Sequence, residues 1–327
     1  MPRQIRPARP RRDLAAIADL IAVGFAETLD AQGRLMLRDM RATARWGPLS
    51  WALARLLGVI PLLRGYVWEE EGHIVGNVSL TPAGYGRGWV IANVVVQPEY
   101  RRRGIARALM ETALADVSKH GAFAVLQVLE ANEAARKLYR DLGFAEERAF
   151  TRWRRPTYSE GHTPPTVPYA VQRLRPRDAA ALLALAERER PNARGGLGWL
   201  RPTRAEALRP SRWLTFAFGG GKLRAHWGIW GEQGTLEAAL SVEHILGSYT
   251  LYFDALVRPQ SAERRALLDA LVHFVARRFV GRSLVTEHPA DDKIGADVWR
   301  AHQFRAERTL VHMIWRVPQN GTQKERT

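Results

Sequence analysis

Residues 94–106, V-V-V-Q-P-E-Y-R-R-R-G-I-A, join a β-branched run, a proline and a helix start through three consecutive arginines and a glycine. The valines favour a buried strand, which Pro98 ends, and the alanine-rich stretch from Ile105 has helical periodicity. The first backbone N–H groups of a helix have no internal partner and lie at the positive end of its dipole. We therefore predict that this junction binds a polyanion.

The residues of the junction itself suit a phosphate. Gly104 has no Cβ, so a ligand can approach the backbone closely. Arg101, Arg102 and Arg103 add fixed positive charge next to it. Their side chains have two open alternatives, since they could bind a nucleotide phosphate or point into solvent.

A second motif follows the apolar run from Phe123 to Leu129, and residues 132–144 read N-E-A-A-R-K-L-Y-R-D-L-G-F. Together the two motifs resemble the GCN5-related N-acetyltransferase (GNAT) family, which carries Q/R-x-x-G-x-G/A and then N-x-x-A-x-x-L-Y-x-x-x-G-F. The matching residues are Arg101, Gly104 and Ala106 in the first motif, and Asn132, Ala135, Leu138, Tyr139, Gly143 and Phe144 in the second.

The resemblance implies acetyl-CoA as co-substrate and no metal. Backbone N–H groups from Arg102 to Arg107 would hold the pyrophosphate. The backbone of Val94 to Val96 would pair with the pantetheine arm, with one N–H group facing the thioester oxygen. The residues expected to bind the cofactor are Val94, Val95, Val96, Arg101, Arg102, Arg103, Gly104, Ile105, Ala106, Arg107, Asn132 and Ala135.

The same resemblance makes Tyr139 the expected general acid, which would protonate the departing thiolate. The alternative is a core aromatic, because Ala135, Leu138, Tyr139 and Leu142 have the i, i+3, i+4, i+7 spacing of an apolar helix face. Asn132 is expected both to bond the pantetheine and to cap this helix.

The general base is not predicted by the sequence. The strand residues 90–96 offer only Asn93 as a polar side chain. The acidic run Glu69 to Glu71 reads as a solvated hairpin end, and His73 as a turn residue. An ordered water, or deprotonation of the amine before binding, remains an alternative.

Upstream elements complete the order β-α-α-β-β-β-α-β-α. Residues 4–6 predict a strand, and the following apolar stripe predicts a helix with Asp13 as its cap. Residues 66–70 and 74–80 predict a β-hairpin, and residues 89–96 the fourth strand.

The second half of the chain echoes the first. Its strand candidates are residues 213–218, 223–230, 235–243 and 249–257, with Gly219 to Gly221 as a turn. Alignment without gaps from Val257-Arg258-Pro259 places Ala262 at the position of Arg101 and Arg265 at that of Gly104. Separately, residues 298–304 match residues 138–144, with Trp299 at the position of Tyr139. An indole cannot act as the acid, so this copy is predicted to have lost its cofactor machinery.

The predicted fold class is α+β (α/β), with two tandem GNAT-like domains, each a twisted mixed β-sheet flanked by helices. The predicted boundaries are 1–153 for the acetyl-CoA-binding domain, 154–168 for a linker rich in proline and polar residues, 169–317 for the degenerate domain and 318–327 for a polar tail.

Composition limits the classes of function. The chain has no Cys, which excludes disulfides and thiolate chemistry. The net charge of +16 is spread over both halves, with 22 basic against 16 acidic residues up to position 153, and only five basic residues are Lys. A nucleic-acid-binding protein is therefore the least favoured alternative. The start lacks the apolar core of a signal peptide, which favours a cytoplasmic protein.

The acceptor is not predicted beyond a small-molecule or peptide amine. Residues 48–63 are apolar but interrupted, too short a run for a membrane span, and could pack against the second domain, line an acceptor pocket or touch a membrane. The function expected is direct transfer of an acetyl group by the N-terminal domain, with a structural or substrate-shaping C-terminal domain. The alternative is a non-catalytic acyl-CoA sensor. Oligomeric state is not predicted.

Overall fold

The computed structural model describes residues 4–27, 29, 31–50, 64–84, 86–157, 169–196, 203–209, 222–245 and 248–318. The predicted strand at 213–218, the turn at 219–221, residues 51–63 of the apolar segment, and residues 158–168 and 319–327 lie outside these ranges. The helices are α1 (Pro10–Gly24), α2 (Ala31–Ala44), α3 (Ile105–His120), α4 (Glu133–Asp141), α5 (Ala179–Glu189), α6 (Arg264–Arg278) and α7 (Lys293–Ala301). The strands are β1 (Gln4–Pro7), β2 (Arg64–Glu70), β3 (His73–Pro82), β4 (Gly88–Val96), β5 (Phe123–Leu129), β6 (Ala145–Arg155), β7 (Gln172–Arg173), β8 (Lys222–Trp230), β9 (Leu236–Ile245), β10 (Thr250–Val257), β11 (Ser283–Pro289) and β12 (Arg305–Arg316).

The chain forms two compact units. Unit 1 comprises Met1–Leu126, Lys137–Ala145 and Ile314–Thr327, and unit 2 comprises Gln127–Arg136 and Glu146–Met313. The boundaries inferred from composition at 153 and 168 remain predictions.

Unit 1 contains the predicted order of elements. Its strands follow the order β1-β2-β3-β4-β5, antiparallel except for the parallel pair β4 and β5. The hairpin between β2 and β3 turns at Glu71 and Gly72, both with positive φ, as a two-residue turn matched to strand twist requires. The predicted hairpin and fourth strand are confirmed, although His73 opens β3 rather than occupying the turn.

The prediction that Asp13 is the N-cap of the first helix is wrong, because the helix begins before this residue. α1 begins at Pro10, because proline needs no N–H partner in a first turn, and Arg9 is its N-cap. Asp13 instead accepts the backbone N–H of Arg9 at 2.6 Å and pairs with Arg6 at 2.6 Å. Burial disfavours the charged carboxyl, yet these bonds hold the pKa of Asp13 below its usual value.

Two close contacts fix the helices of unit 1 on the sheet. A Cβ added to Gly76 on β3 would lie 2.9 Å from Ile105 Cγ2, so α3 rests on the backbone itself. A Cβ added to Gly24 would lie 2.1 Å from Val95 Cγ2, which places the end of α1 against β4. α2 joins the same core through Leu37. The carboxyl end of β4 is thus held from both faces of the sheet.

Unit 2 repeats this plan with its own core. Its strands follow the order β6-β11-β10-β9-β8-β7, with β10 and β11 parallel and the other pairs antiparallel. The strands predicted at 223–230, 235–243 and 249–257 are confirmed as β8, β9 and β10. α6 and Trp299 pack into the main apolar cluster beside Phe253. The predicted fold class, a mixed sheet flanked by helices in each half, is confirmed.

No helix within the described ranges is long and apolar enough to span a bilayer.

Candidate active site

The turn between β4 and α3 is exposed and ends at a left-handed glycine. Gly104 is the N-cap of α3 with φ 77° and ψ 0°, and Arg102 is also left-handed at φ 62°. The N–H of Ala108 donates to the Gly104 carbonyl at 3.0 Å, so the three preceding N–H groups of α3 have no helical partner. A Cβ added at Gly104 would meet no atom within 4 Å. The turn is therefore open to an anion.

Three of the arginines at this turn contact the protein itself. Arg101 Nε donates to the Val96 carbonyl at 3.2 Å. Arg103 lies 4.9 Å from the Tyr100 ring centroid and 3.6 Å from a Glu70 oxygen. Arg107 pairs with Asp141 of α4 at 3.3 Å.

Arg102 has a different environment. Within the described residues, it has no hydrogen bond or ion pair, and its side chain is exposed. Of the three consecutive arginines it is therefore the one best placed to receive a phosphate without first breaking an internal contact.

A β-bulge interrupts β4 just before the carboxyl end of the strand. Asn77 on β3 is opposite Val95, whereas Ser79 is opposite Ala92, so β4 carries one extra residue between these pairs. Asn93 at the bulge has φ 52°. A bulge re-aims the backbone groups of its strand, which here are those of Val94 and its neighbours.

The parallel ladder between β4 and β5 is short. Its register runs from Gly88 opposite Phe123 to Val90 opposite Val125. β4 then continues to Val96 beyond the end of this ladder. Val94, Val95 and Val96 thus lie where the strand has separated from its parallel neighbour, as the resemblance to acetyltransferases leads one to expect.

Tyr139 is the buried residue of α4. Its side chain is 7% exposed and its ring centroid lies 5.9 Å from that of Phe144. Burial raises the pKa of Tyr139 to about 12. The phenol is therefore protonated at neutral pH, as an acid must be, and it also packs in the core, so the two alternatives for this residue are compatible.

Asn132 caps α4, as expected. Its Oδ1 accepts the N–H of Ala135 at 3.1 Å. Asn132 and Ala135 lie in the segment Gln127–Arg136 of unit 2, whereas Tyr139 lies in unit 1. The binding roles expected of Asn132 and Ala135 remain predictions.

Two of the three carboxylates in the acidic run beside the hairpin, those of Glu69 and Glu70, form ion pairs. Glu69 contacts Arg6 at 2.5 Å and Arg12 at 2.9 Å, and the hydrogen bond from Arg6 lowers the pKa of Glu69. Glu70 lies 3.6 Å from Arg103. Both carboxylates are therefore already in contact with arginine side chains.

Asn77, Ser79 and Asn93 form a polar cluster at the bulge. This cluster was not predicted from the sequence. Asn77 Nδ2 donates to the Asn93 carbonyl at 2.8 Å and to Ser79 Oγ at 3.2 Å. Asn77 is 1% exposed and Ser79 5%. The available signal was a pair of polar residues, two positions apart, inside the otherwise apolar strand β3.

Residues 39–144 match the model of the Acetyltransferase (GNAT) family. This segment of the chain is a GNAT-family segment. The matched range includes the Gly104 turn, the bulged strand β4 and Tyr139. Over the residues that the structure describes, no group of three or more His, Asp or Glu side chains is arranged to hold a metal ion.

Curated acetyltransferases match parts of the chain. Ribosomal protein bS18-alanine N-acetyltransferase of Escherichia coli (strain K12) is 42% identical over 55 residues, which are 16% of this chain and 37% of that enzyme. Mycothiol acetyltransferase of Thermobispora bispora is 33% identical over 154 residues, 46% of this chain and 47% of that enzyme. The chain thus spans less than half the length of each of these two relatives.

A solved tandem protein matches both halves. A tandem GNAT protein from the clavulanic acid biosynthesis pathway has a TM-score of 0.62 at 20% identity, over 98% of this chain and 100% of that one. At this identity the likeness concerns the fold, and it confirms the predicted tandem arrangement.

The second copy keeps the backbone geometry of the second motif. Phe304 N–H donates to the Trp299 carbonyl at 2.9 Å, as Phe144 N–H does to that of Tyr139 at 3.0 Å. Asp292 caps α7 by accepting from Gly295 N–H at 3.0 Å, as Asn132 caps α4. Trp299 is fully buried where Tyr139 would stand.

The first motif of the second copy is replaced by an ion-pair cluster. α6 begins seven residues after Val257, whereas α3 begins nine after Val96, and its N-cap Glu263 is not left-handed. The gapless alignment is therefore wrong by two residues at this helix. Arg264 donates to the Val257 carbonyl at 2.9 Å, to Glu189 at 2.9 Å and to Asp292 at 2.7 Å.

Internal carboxylates thus lie near the start of α6. Burial opposes ionisation of Asp292, yet hydrogen bonds with His288 and Arg264 hold its pKa well below the usual range. In this copy, charged side chains are thus paired with one another where the first copy has an open turn.

Proposed function

We propose that the N-terminal GNAT domain transfers the acetyl group of acetyl-CoA directly to an amine. The C-terminal copy is structural or shapes the acceptor site. The observation that carries the proposal is the start of α3, where the N-cap Gly104 has no side chain to bond the first N–H groups of the helix. These free N–H groups, the helix dipole and Arg102 suit a pyrophosphate. Ile105, Ala106 and Arg107 contribute those N–H groups.

The separated end of β4 suits the pantetheine arm. Backbone groups of Val94 to Val96 lie beyond the ladder with β5, and an extended arm could pair with them as an added strand does. An N–H donor held in place before the reaction stabilises charge on the thioester oxygen by roughly 3 kcal/mol. Arg101 ties the turn to this strand through the Val96 carbonyl.

The transfer step uses few groups of the protein. The amine nitrogen forms a bond to the acetyl carbon, the carbon–sulfur bond breaks, and Tyr139 gives its proton to the sulfur. The amine loses its own proton to solvent or to a bound water. The bS18-alanine enzyme acts, by its name, on a protein alanine, which supports a peptide amine as the first acceptor to test.

A coupled assay decides between this enzyme and a non-catalytic acyl-CoA sensor. Acetyl-CoA is incubated with a panel of peptide and small-molecule amines, and free thiol is measured. Amine-dependent thiol release supports the transferase. Binding of acetyl-CoA with no release across the panel would support the sensor.

We expect each chain to bind a single equivalent of coenzyme A. The turn at Gly104 is open, whereas Arg264 already holds Glu189 and Asp292 in the second copy. Titration calorimetry with coenzyme A measures the stoichiometry. Two equivalents per chain would contradict the assignment of a degenerate second copy, and no binding would contradict the proposed function.

We expect that ionisation of Tyr139 does not reduce the activity in moderately alkaline solution. The phenol must be protonated to act, and its pKa of about 12 means that only about 1% is ionised at pH 10. The kcat measured by thiol release should therefore not decline up to about pH 10. A descending limb near pH 9 that Tyr139→Phe removes would show that the phenol ionises too early for this role.

A further inference from the structure

The bulge in β4 is held by the side chain of a neighbouring strand. Asn93 has φ 52°, a conformation that costs energy for any residue with a Cβ, although Asn tolerates it better than most. The carbonyl of Asn93 is turned toward β3, where Asn77 Nδ2 donates to it at 2.8 Å. The amide of Asn77 therefore replaces a strand partner that the extra residue has displaced.

The same amide group is fixed by a second bond. Its other hydrogen is directed to Ser79 Oγ at 3.2 Å, and Asn93 Nδ2 lies 3.4 Å from the same oxygen. Asn77 lies directly opposite Val95, whose side chain packs against the end of α1. Asn77 thus links the bulge at Asn93 to the strand residue Val95.

This arrangement is costly for the core. The Oδ1 of Asn77 is buried and has no hydrogen-bond partner among the residues that the structure describes. A buried acceptor without a partner destabilises a fold, so an apolar side chain of similar size would serve packing better. An amide at this position is better explained by the geometry that it imposes on β4.

We propose that Asn77 is a positioning residue that sets the backbone of Val94 and Val95 so that one of their N–H groups faces the thioester carbonyl. The inference rests on the proposed function, since it assumes that this carbonyl binds at the end of β4. Asn77 acts through the Asn93 carbonyl and does not contact the reacting atoms. The cradle at Gly104, which would hold the pyrophosphate, does not depend on it.

A spectroscopic readout tests the inference without knowledge of the acceptor. Acetyl-CoA labelled with ¹³C at the carbonyl is bound to the full chain, and the infrared carbonyl stretch is compared with that in solution. We expect a shift to lower wavenumber in the wild type, because a hydrogen bond weakens the C=O bond. In Asn77→Leu and in Asn77→Asp at pH 8, most of this shift should disappear. The affinity for coenzyme A, which has no acetyl carbonyl, should stay within about twofold of the wild type, because the pyrophosphate cradle is intact.

A pH series with Asn77→Asp separates positioning from general damage. Burial and the facing carbonyl raise the pKa of the introduced carboxyl, which loses its charge as the pH falls and can then donate to the Asn93 carbonyl. The kcat of this variant should be roughly 100-fold below wild type at pH 8, a loss typical of a group misplaced by about 1 Å. Its ratio to the wild-type kcat should rise as the pH falls toward 5, whereas the ratio for Asn77→Leu should stay flat. The ratio cancels protonation of the acceptor amine.

Asn192→Asp is the matched control. Asn192 Nδ2 also donates to a carbonyl, that of Thr203 at 3.0 Å, but in unit 2. This variant should leave the carbonyl stretch and kcat unchanged. If the wild type shows the shifted stretch and both Asn77 variants keep it, the positioning role is refuted and the proposed function stands. If the wild type does not bind acetyl-CoA, both are refuted.

Discussion

Gly104→Asp is expected to abolish acetyl-CoA binding in the accessible concentration range while leaving the protein folded. A Cβ at this position enters open space, and Asp tolerates a left-handed φ better than most residues. The introduced carboxylate would lie at the N-cap of α3 and accept the N–H groups that the pyrophosphate needs. Losing two charge-assisted bonds of roughly 1.5 kcal/mol each weakens binding by at least about 100-fold. Titration calorimetry measures this loss.

Gly234→Asp provides the control for backbone strain. Gly234 has φ 70° and, like Gly104, no atom within 4 Å of an added Cβ, but it lies in a turn of unit 2. The midpoint temperatures of both variants should fall by no more than about 4 °C. Only Gly104→Asp should lose acetyl-CoA. Equal affinity in both variants and in the wild type would mean that the cofactor does not bind at this turn.

The anion turn could be predicted from the sequence because its chemistry is local. A strand, a proline, a glycine and a helix start within residues 94–106 determine where free N–H groups must lie. The cap at Asn132 is local in the same way, since its partner Ala135 is three positions away. The hairpin at Glu71 and Gly72 likewise follows from one short segment.

The polar cluster at the bulge depends on pairing between strands and could not be predicted. Asn77 and Asn93 are 16 positions apart, and their contact requires the register of β3 against β4. The sequence shows that Asn93 is the polar residue of its strand. It gives no indication of the β-bulge that turns the Asn93 carbonyl toward β3. The contact of Asn77 with the Asn93 carbonyl can therefore be recognised only when the register of β3 against β4 is known.

The ion-pair cluster of the second copy is still less local. Arg264 and Glu189 are 75 positions apart, and the missing glycine alone could indicate only that the phosphate turn was lost. The side chains that replace the phosphate turn come from three elements, because Arg264 of α6 bonds Glu189 of α5 and Asp292, the cap of α7. The two-residue difference in the start of α6 also escaped a gapless alignment, because loop length is set by packing as well as by sequence.

Tyr139→Phe is expected to lower kcat by roughly 10- to 100-fold and to change the KM for acetyl-CoA by less than about twofold. The variant keeps the ring beside Phe144, so the core is preserved and only the proton donor is lost. Initial rates of thiol release, at saturating amine, measure both constants. Tyr66→Phe is the control, because Tyr66 is another phenol of unit 1 whose pKa is raised by burial, and the proposed transfer step does not use it.

The modest size of this effect follows from the two pKa values involved. A thiol has an ordinary pKa near 8.5, whereas burial raises the pKa of Tyr139 to about 12, so full proton transfer to a free thiolate is unfavourable by roughly 3.5 powers of ten. The phenol can therefore assist only while the carbon–sulfur bond is breaking, and a thiolate also departs without help. A loss of 10⁴-fold or more would indicate that Tyr139 does more than donate a proton. An unchanged kcat would mean that its ring serves the core alone.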